Sequence, residues 1–386
     1  MVGVNADASM SADLRTEKVL IVGAGLGGLS LALALRRCGI AVDLVEIDPA
    51  LHALGAGITL NGASLRAFAA LGLLGEIQRL GHCHDGRETF DGKGKLLFSS
   101  RGERPLGPDI PNGGGILRPV LHRIVYDAAV AAGASIRFGM SVTALDDLGE
   151  SVEVRFTDGA SGRYDLVVGA DGISSVVRGF IFPDAPKPIY TGQGCWRAVL
   201  SKPADMQNPR TFMGHDHKAG LNPISHDEMY LYLLQHVPDN RWMPPAEWPA
   251  LLAAELAEFD GILAEIRENL GPGSRVNYRP LEKLLLDPPW HKGRVVLIGD
   301  AAHATTPHVG YGAGLAVEDA IVLAELLRAP APLEEILTRF VQRRYERCRL
   351  VVEGSVRLGE LEIERASADA HRATFNKIVA AIQQPI

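Results

Sequence analysis

Residues 19–29 read VLIVGAGLGGL, an apolar, β-branched run that ends in Gly23, Gly25 and Gly28. A helical apolar pattern follows from about Leu26 to Cys38 and stops at Gly39. A second apolar strand, Ala41–Val45, ends at Glu46. Strand, glycine turn, helix and strand make a βαβ unit, which calls for a parallel sheet. Gly23 permits the tight turn, Gly25 lets a diphosphate approach the backbone, and Gly28 lets the helix pack on the strand. The helix N-terminus offers unpaired N–H groups to phosphate oxygens. Glu46, eighteen residues after Gly28, can accept from ribose hydroxyls and would repel a 2′-phosphate. The loop therefore fits the adenosine half of NAD or FAD rather than NADP.

Outward from this unit, strand-like segments fall at Ser135–Phe138, Val152–Phe156, Leu166–Val168 and Val295–Ile298. The region from Gly192 to Val237 has the short strands and turns of a β-rich layer. Leu251–Asn269 looks helical, and helical patterns dominate from Gly314 onward. No linker composition separates these parts, so the domains are expected to interleave. The fold class expected is α/β: a Rossmann-like nucleotide-binding domain interleaved with a β-sheet substrate domain, and a helical C-terminus. The boundaries expected are a tail over 1–16, the nucleotide domain over 17–75, 104–184 and 273–345, the substrate domain over 76–103 and 185–272, and C-terminal helices over 346–386.

The formal net charge of −7 argues against a nucleic-acid partner. No apolar run approaches the ~20 residues of a membrane span, and the N-terminal stretch lacks the cationic start and apolar core of a signal peptide. Cys38, Cys83, Cys195 and Cys348 show no CxxC spacing, so neither a structural zinc nor a disulfide framework is expected, and the compartment expected is the cytoplasm.

Two later motifs separate FAD from NAD. DLVVGADGISSVVR spans Asp165–Arg178, and GRVVLIGDAAHATTPHVGYGAGLAVEDA spans Gly293–Ala320. Each is a buried strand running into a glycine- and acid-bearing turn. An NAD dehydrogenase needs neither. With the Gly23-x-Gly25-x-x-Gly28 loop, Asp171-Gly172 and Gly299-Asp300 followed by Pro307 and glycines, the chain resembles the class A FAD-dependent aromatic hydroxylases, the para-hydroxybenzoate hydroxylase-like flavoprotein monooxygenases. The resemblance covers about residues 17–350. YTGQGCWRAVL and KAGLNPISHDEMYLYLLQ look most like 6-hydroxynicotinate 3-monooxygenase-like enzymes.

That resemblance implies FAD as cofactor, NADH or NADPH as co-substrate, and a small aromatic or N-heteroaromatic substrate with O₂. It implies reduction of the flavin, formation of a C4a-hydroperoxide and attack on it by an electron-rich ring. It places Gly23, Gly25, Gly28, Glu46, Gly57, Arg118, Asp171, Asp300, Gly310, Gly312, Ala313 and Gly314 at the cofactor, with Arg123 a further candidate. Tyr311 and Gly314 depart from residues common in the family, which leaves backbone N–H groups near Gly312 as the main stabiliser of reduced flavin; Val120, in the helix that carries Arg118, stands where the family often has an acidic residue. A monomer or homodimer without integral membrane contact is expected.

A ring hydroxyl becomes more nucleophilic once its proton is lost, and His or Tyr can take that proton. His308 follows Pro307 in the flavin loop and is the first candidate for direct substrate contact. His215 and His217, read as alternate residues of one strand, and Tyr232 are the others. Thr59, Cys195, Arg197 and Tyr230 are candidates for the substrate pocket, with Asn61 beside them. Arg197 can clamp a carboxylate or pair with an acidic neighbour. Trp196 reads as core, the HCH at His82–His84 as a surface turn, and the Arg343–Arg349 cluster as a solvated helical face. Competing functions are a flavin halogenase, a non-hydroxylating flavin-binding regulatory protein and an NAD dehydrogenase. None of Trp196, Trp242, Trp248 and Trp290 lies two residues from another, so the Trp-x-Trp segment of the halogenases is missing.

Overall fold

The computed structural model describes residues 16–51 and 56–386. All but the last residue of the expected tail lie outside them, as does Gly55, the first residue of the stretch GAGI at Gly55–Ile58 that the resemblance places against the flavin.

The βαβ unit at Lys18–Glu46 forms as its sequence requires. Lys18–Val22 sits inside a six-stranded sheet of order His291–Lys292, Val295–Leu297, Leu166–Gly169, Lys18–Val22, Ala41–Glu46, Ser135–Phe138. The four pairings from Val295–Leu297 through to Ser135–Phe138 are parallel; the inner strands Val295–Leu297 and Leu166–Gly169 are buried and apolar along their length, as a sheet covered on both faces requires, while the edge strand Ser135–Phe138 carries Ser135 and Arg137 and is partly exposed. Leu20, Ile21, Leu44, Val167 and Val168 are fully buried. The helix Leu26–Arg37 packs against the helices Gly312–Leu326 and Arg118–Ala131.

A seven-stranded sheet stands beside it, in the order Val276–Lys283, Ile189–Ser201, Glu228–His236, Lys218–Pro223, Arg210–Met213, Gly86–Asp91, Leu96–Arg101. The period-2 alternation of strands gives it two faces. Trp196, Ala198, Leu231 and Leu233 join Leu252, Leu256 and Leu263 in a separate core. Cys195, Arg197, Val199, Tyr230, Tyr232 and Leu234 point to the opposite face; they are paired across the strands as Cys195 with Leu234, Arg197 with Tyr232, and Val199 with Tyr230. That face meets the nucleotide-binding part: a Cβ on Gly57 would lie 2.2 Å from the Tyr230 ring.

Several sequence expectations differ from the structure. Val276–Lys283 pairs with Ile189–Ser201, so a strand placed in the nucleotide domain by sequence belongs to the seven-stranded sheet. The helical stretch expected over 251–269 is divided into two helices, Trp248–Glu255 and Ile262–Asn269. Gly261, at φ +62°, breaks it, a conformation open to glycine at no steric cost. His82–His84 is a short strand paired to Gly113–Leu117 rather than a surface turn; a Cβ on Gly114 would lie 3.0 Å from the His82 carbonyl oxygen and one on Gly113 2.8 Å from the His84 ring, so these glycines leave room for the short strand. The arginine cluster is not wholly solvated: Arg344 is fully buried and Arg347 nearly so.

Candidate functional site

The three glycines of the opening motif have separate surroundings. A Cβ on Gly23, at φ +107°, would lie 2.4 Å from the Ala170 carbonyl oxygen, and one on Gly28 would lie 2.0 Å from the Gly23 carbonyl oxygen. A Cβ on Gly25 would meet nothing within 4 Å. Two glycines are thus required by the protein's own packing, and the third borders open space. Gly25 is also the N-cap of the helix Leu26–Arg37, which has no side-chain cap, so the first N–H groups of that helix are available to an anion.

Two hollows meet at this helix end. The first, about 390 Å³, is lined by Gly25, Gly57, Thr59, Arg118, Arg197, Tyr230, Asp300, Gly310, Gly312 and Ala313, together with Asn277, Arg279, Thr305 and Thr306. The second, about 320 Å³, is lined by Ala24, Glu46, Asp48, His122 and Phe138. Gly25, Leu26, Arg118 and Arg279 border both. Together they make one long groove from the end of the second strand, past a helix N-terminus, to the start of the helix Gly312–Leu326. That helix also lacks a side-chain cap. An elongated dinucleotide with a diphosphate at its middle fits this donor set.

Glu46 stands at the end of its strand as expected. It accepts from the N–H of Ala24 at 2.7 Å and of Asp48 at 3.0 Å. Asp300 borders the groove, and burial raises its pKa despite the nearby His303 and Arg118 cations. Burial also lowers the Arg118 pKa, with Asp300 opposing and Arg197 and Arg279 adding. Among the described residues, none of Arg118, Arg197 and Arg279 has a salt-bridge partner. The expected pairing of Arg197 with an acid is therefore not found, and three guanidinium groups converge on one groove. Tyr230, Thr59 and Asn222 form a hydrogen-bonded group: the Tyr230 and Thr59 hydroxyls bond each other, and Asn222 Nδ2 donates to Thr59 Oγ1 at 2.9 Å. Burial pushes the Tyr230 hydroxyl up to about 12.

Other expected residues stand elsewhere. Asp171 turns from the groove to cap a short helix, accepting from the N–H of Val176 at 2.7 Å and of Val177 at 3.1 Å. Gly314 lies under the Tyr311 ring, 2.3 Å from where its Cβ would be, so it serves packing. Arg123 pairs with Asp127 on the surface. Asn61 caps the helix Gly62–Ala70 by accepting from Ser64 N–H at 2.9 Å. Cys195 is buried, and burial raises its thiol pKa.

The expected catalytic histidines do not line the groove. His215 and His217 sit in the turn between Arg210–Met213 and Lys218–Pro223, not on a strand. His215 is exposed beside Asp216; His217 is held between Glu255 at 3.0 Å and Glu258 at 2.7 Å. His308 points away from the groove. Its Nδ1 lies 2.9 Å from Thr306 Oγ1 and its Nε2 3.3 Å from Glu362 Oε2, with 1% of the side chain exposed. The left-handed Gly310 and the 3₁₀ turn Pro307–Val309 direct it toward the long helix Leu333–Ile363. Tyr232 lies behind Tyr230, ring centroids 6.0 Å apart.

Sequence reading missed Asn277 and Arg279, although two polar residues at i and i+2 on a strand mark one face. It also missed Thr305, Thr306 and Glu362. Beneath the groove, His303, Asp319 and Cys348 converge like metal ligands. Arg344 fills that cluster instead: its Nε lies 2.7 Å from Asp319 and its Nη2 3.8 Å from Cys348 Sγ.

Residues 16–355 match the family model described as FAD binding domain. The chain is 36% identical over 348 residues to 2-heptyl-3-hydroxy-4(1H)-quinolone synthase of Pseudomonas aeruginosa, which covers 89% of each chain. It is 30% identical over 319 residues to 6-hydroxynicotinate 3-monooxygenase of Bordetella bronchiseptica, covering 80% of this chain and 82% of that one. The crystal structure of Klebsiella pneumoniae HpxO complexed with FAD and uric acid shares the fold, with a TM-score of 0.84 at 24% identity over 96% of this chain and 97% of that one. The chain belongs to the FAD binding domain family and is an FAD-dependent flavoprotein monooxygenase.

Proposed function

We propose that the protein hydroxylates a small aromatic or N-heteroaromatic compound of the hydroxypyridine, hydroxyquinoline or phenol type, using NADH or NADPH and O₂. The observation that carries the reading is the wall of the larger hollow. The buried Tyr230–Thr59–Asn222 group and the Arg197 guanidinium lie opposite the uncapped start of the helix Gly312–Leu326. A polar, ionisable ring fits between them: Tyr230 and Thr59 fix its polar substituent, and Arg197 favours its anionic form. The two relatives' names specify a quinolone and a hydroxynicotinate, both oxygenated N-heterocycles.

In the same reading Glu46 holds the adenosine ribose, Gly25 and the helix behind it hold the diphosphate, and Arg118 and Asp300 flank the chain that leads to the ring system. Gly310, Gly312 and Ala313 present backbone N–H groups to the flavin, and the dipole of their helix favours negative charge there. FAD supplies the redox and oxygen chemistry when bound; the protein orients the ring, keeps water out and manages its proton. Arg279, shared by both hollows, keeps the groove electropositive for the anionic cofactor and for the nicotinamide reductant.

The test is a panel of hydroxypyridines, hydroxyquinolines and hydroxybenzoates offered to the FAD-loaded protein. The expected result is substrate-stimulated NAD(P)H oxidation and a product heavier by one oxygen atom. Stimulated oxidation that yields only peroxide with every member would overturn hydroxylation as the function.

A further inference from the structure

His308, turned from the groove, still communicates with it. Thr306 lines the larger hollow, and its hydroxyl lies 2.9 Å from His308 Nδ1. On the other side of the ring, His308 Nε2 lies 3.3 Å from Glu362 Oε2, while Glu362 forms an ion pair with Lys218. The imidazole is almost wholly enclosed, whereas Glu362 and Lys218 keep 16% and 24% of their side chains exposed. Hydroxyl, imidazole, carboxylate and ammonium thus form a line from the hollow to the surface. It crosses three elements: the flavin-loop turn, the helix Leu333–Ile363 and the strand Lys218–Pro223.

We propose that Thr306 and His308 carry the proton of the substrate's ring hydroxyl or ring N–H out of the groove, with Glu362 as the positioning residue for the imidazole. The proposal rests on the monooxygenase reading of this hollow. The tautomer follows from charge. Lys218 holds the Glu362 carboxyl well below its ordinary range, against the opposing effect of burial, so an ionised carboxylate lies 3.3 Å from Nε2; Nε2 has no hydrogen-bond partner as it stands, and the adjacent negative charge favours placing the ring proton on that nitrogen. Nδ1 then has no proton and accepts from the Thr306 hydroxyl. With its own hydrogen directed at His308, the Thr306 oxygen offers lone pairs to a donor in the groove. As the substrate O–H or N–H bond breaks, its proton joins Thr306 Oγ1, the Thr306 proton moves to His308 Nδ1, and the electron pair stays on the substrate heteroatom. The imidazolium is stabilised by Glu362, and its Nε2 proton leaves by way of Glu362 to solvent.

The groups around the imidazole are consistent with this. Glu362 faces it from the long helix, with Lys218 behind. The strand Ile189–Ser201 contributes Gln193, which donates to Glu362 Oε2 at 3.3 Å. Gly359 lies against the ring, a Cβ there being 3.0 Å from His308 Nε2; only glycine leaves the imidazole this room.

Two measurements test the proposal. The first needs no turnover: ¹⁵N NMR of the FAD-loaded protein labelled at histidine, with His308→Gln used to assign the resonance. The Nε2–H tautomer is expected, together with a change in the Nδ1 resonance in Thr306→Val. A neutral Nδ1–H tautomer would overturn the relay, since Thr306 could not then donate. The second is the pH profile of coupled hydroxylation, with 6-hydroxynicotinate and 4-hydroxyquinoline as probes. General acid–base help is worth ~10²–10⁴-fold; acting through one hydroxyl, the line is expected to give about 10²-fold at its optimum. Thr306→Val and His308→Gln should each lose that and flatten the acidic limb, and the double variant should lose no more. Multiplied losses, or an unchanged profile in Thr306→Val with FAD retained, would overturn it. If neither probe is hydroxylated by the wild type, the substrate reading fails for them, and the NMR result still decides the relay.

Discussion

Asp319 Oδ2 accepts the backbone N–H of Gly299 at 2.9 Å, while its Oδ1 meets Arg344 Nε at 2.7 Å in a site closed to solvent. A carboxylate on one helix thus fixes the turn that carries Asp300 into the groove. His303 completes the arrangement at 2.6 Å from Oδ2. The His303 and Arg344 cations hold the Asp319 carboxyl below its ordinary range although burial works the other way.

Removing that charge leaves Arg344 with less compensation in a dry interior, where breaking one partner of a buried pair costs about 3–5 kcal/mol. Asp319→Asn is therefore expected to lower the melting temperature of the apoprotein by several degrees and to weaken FAD retention through a loosened Gly299–Asp300 turn. A melting curve like the wild type's would show that the pair contributes nothing to the turn.

The glycines of the opening motif separate packing from binding. Gly28→Ala forces a Cβ onto the Gly23 carbonyl, and the expected outcome is loss of soluble, folded protein. Gly25→Ala has room in the free protein, so it should fold with near wild-type stability yet bind FAD at least about 100-fold more weakly, because a methyl group there meets the diphosphate. Circular dichroism and flavin fluorescence titration check both. Tight FAD binding by Gly25→Ala would mean that the diphosphate lies elsewhere.

Glu46→Ala removes a carboxylate expected to bond the ribose, and it also frees the Ala24 N–H. FAD affinity should fall by about tenfold, the loss of one charge-assisted hydrogen bond at ~1.5 kcal/mol. The NADH-to-NADPH preference should not move. A reversed preference would assign the loop to the reductant.

His84 gives a pH signature of stability. Burial pushes its imidazole down to about 4, with a partly offsetting bond to the Gly86 carbonyl. In the unfolded chain it titrates near its ordinary value of about 6.5. The unfolded state therefore binds more protons between the two values. Its contribution is fully present above about pH 6.5 and is lost as pH falls toward 4, at up to about 1.4 kcal/mol per pH unit. His84→Asn, which keeps a donor for Gly86, should reduce this acid slope in denaturant melts between pH 4.5 and 6.5; an unchanged slope would place the titration on another group.

The nucleotide half of the protein was legible because its determinants are local. Three glycines at fixed spacing, an acid at the end of the next strand and an uncapped helix start are all set within thirty residues, and backbone geometry leaves few other uses for them. Trp196 reads as core from its size alone and is fully buried; that Arg197 lies on the opposite face of the same strand comes from the structure. Identifying the facing element required tertiary structure. The partners of Arg197 are Asn277 across one strand pair and Tyr232 across another, residues distant in sequence with no local signal linking them. Asp171 resembled a cofactor ligand in sequence, but a helix two turns long took its carboxylate. His308 sat in the right loop by sequence, yet a left-handed Gly310 and the room left by Gly359, fifty-one residues later, turned its ring toward Glu362. Sequence by itself determined which backbone can hold a dinucleotide, because that depends on short-range sterics. The direction of each side chain at the substrate end was decided only by packing between the two sheets and the long C-terminal helix, where burial and charge pairing are settled between segments far apart in the chain.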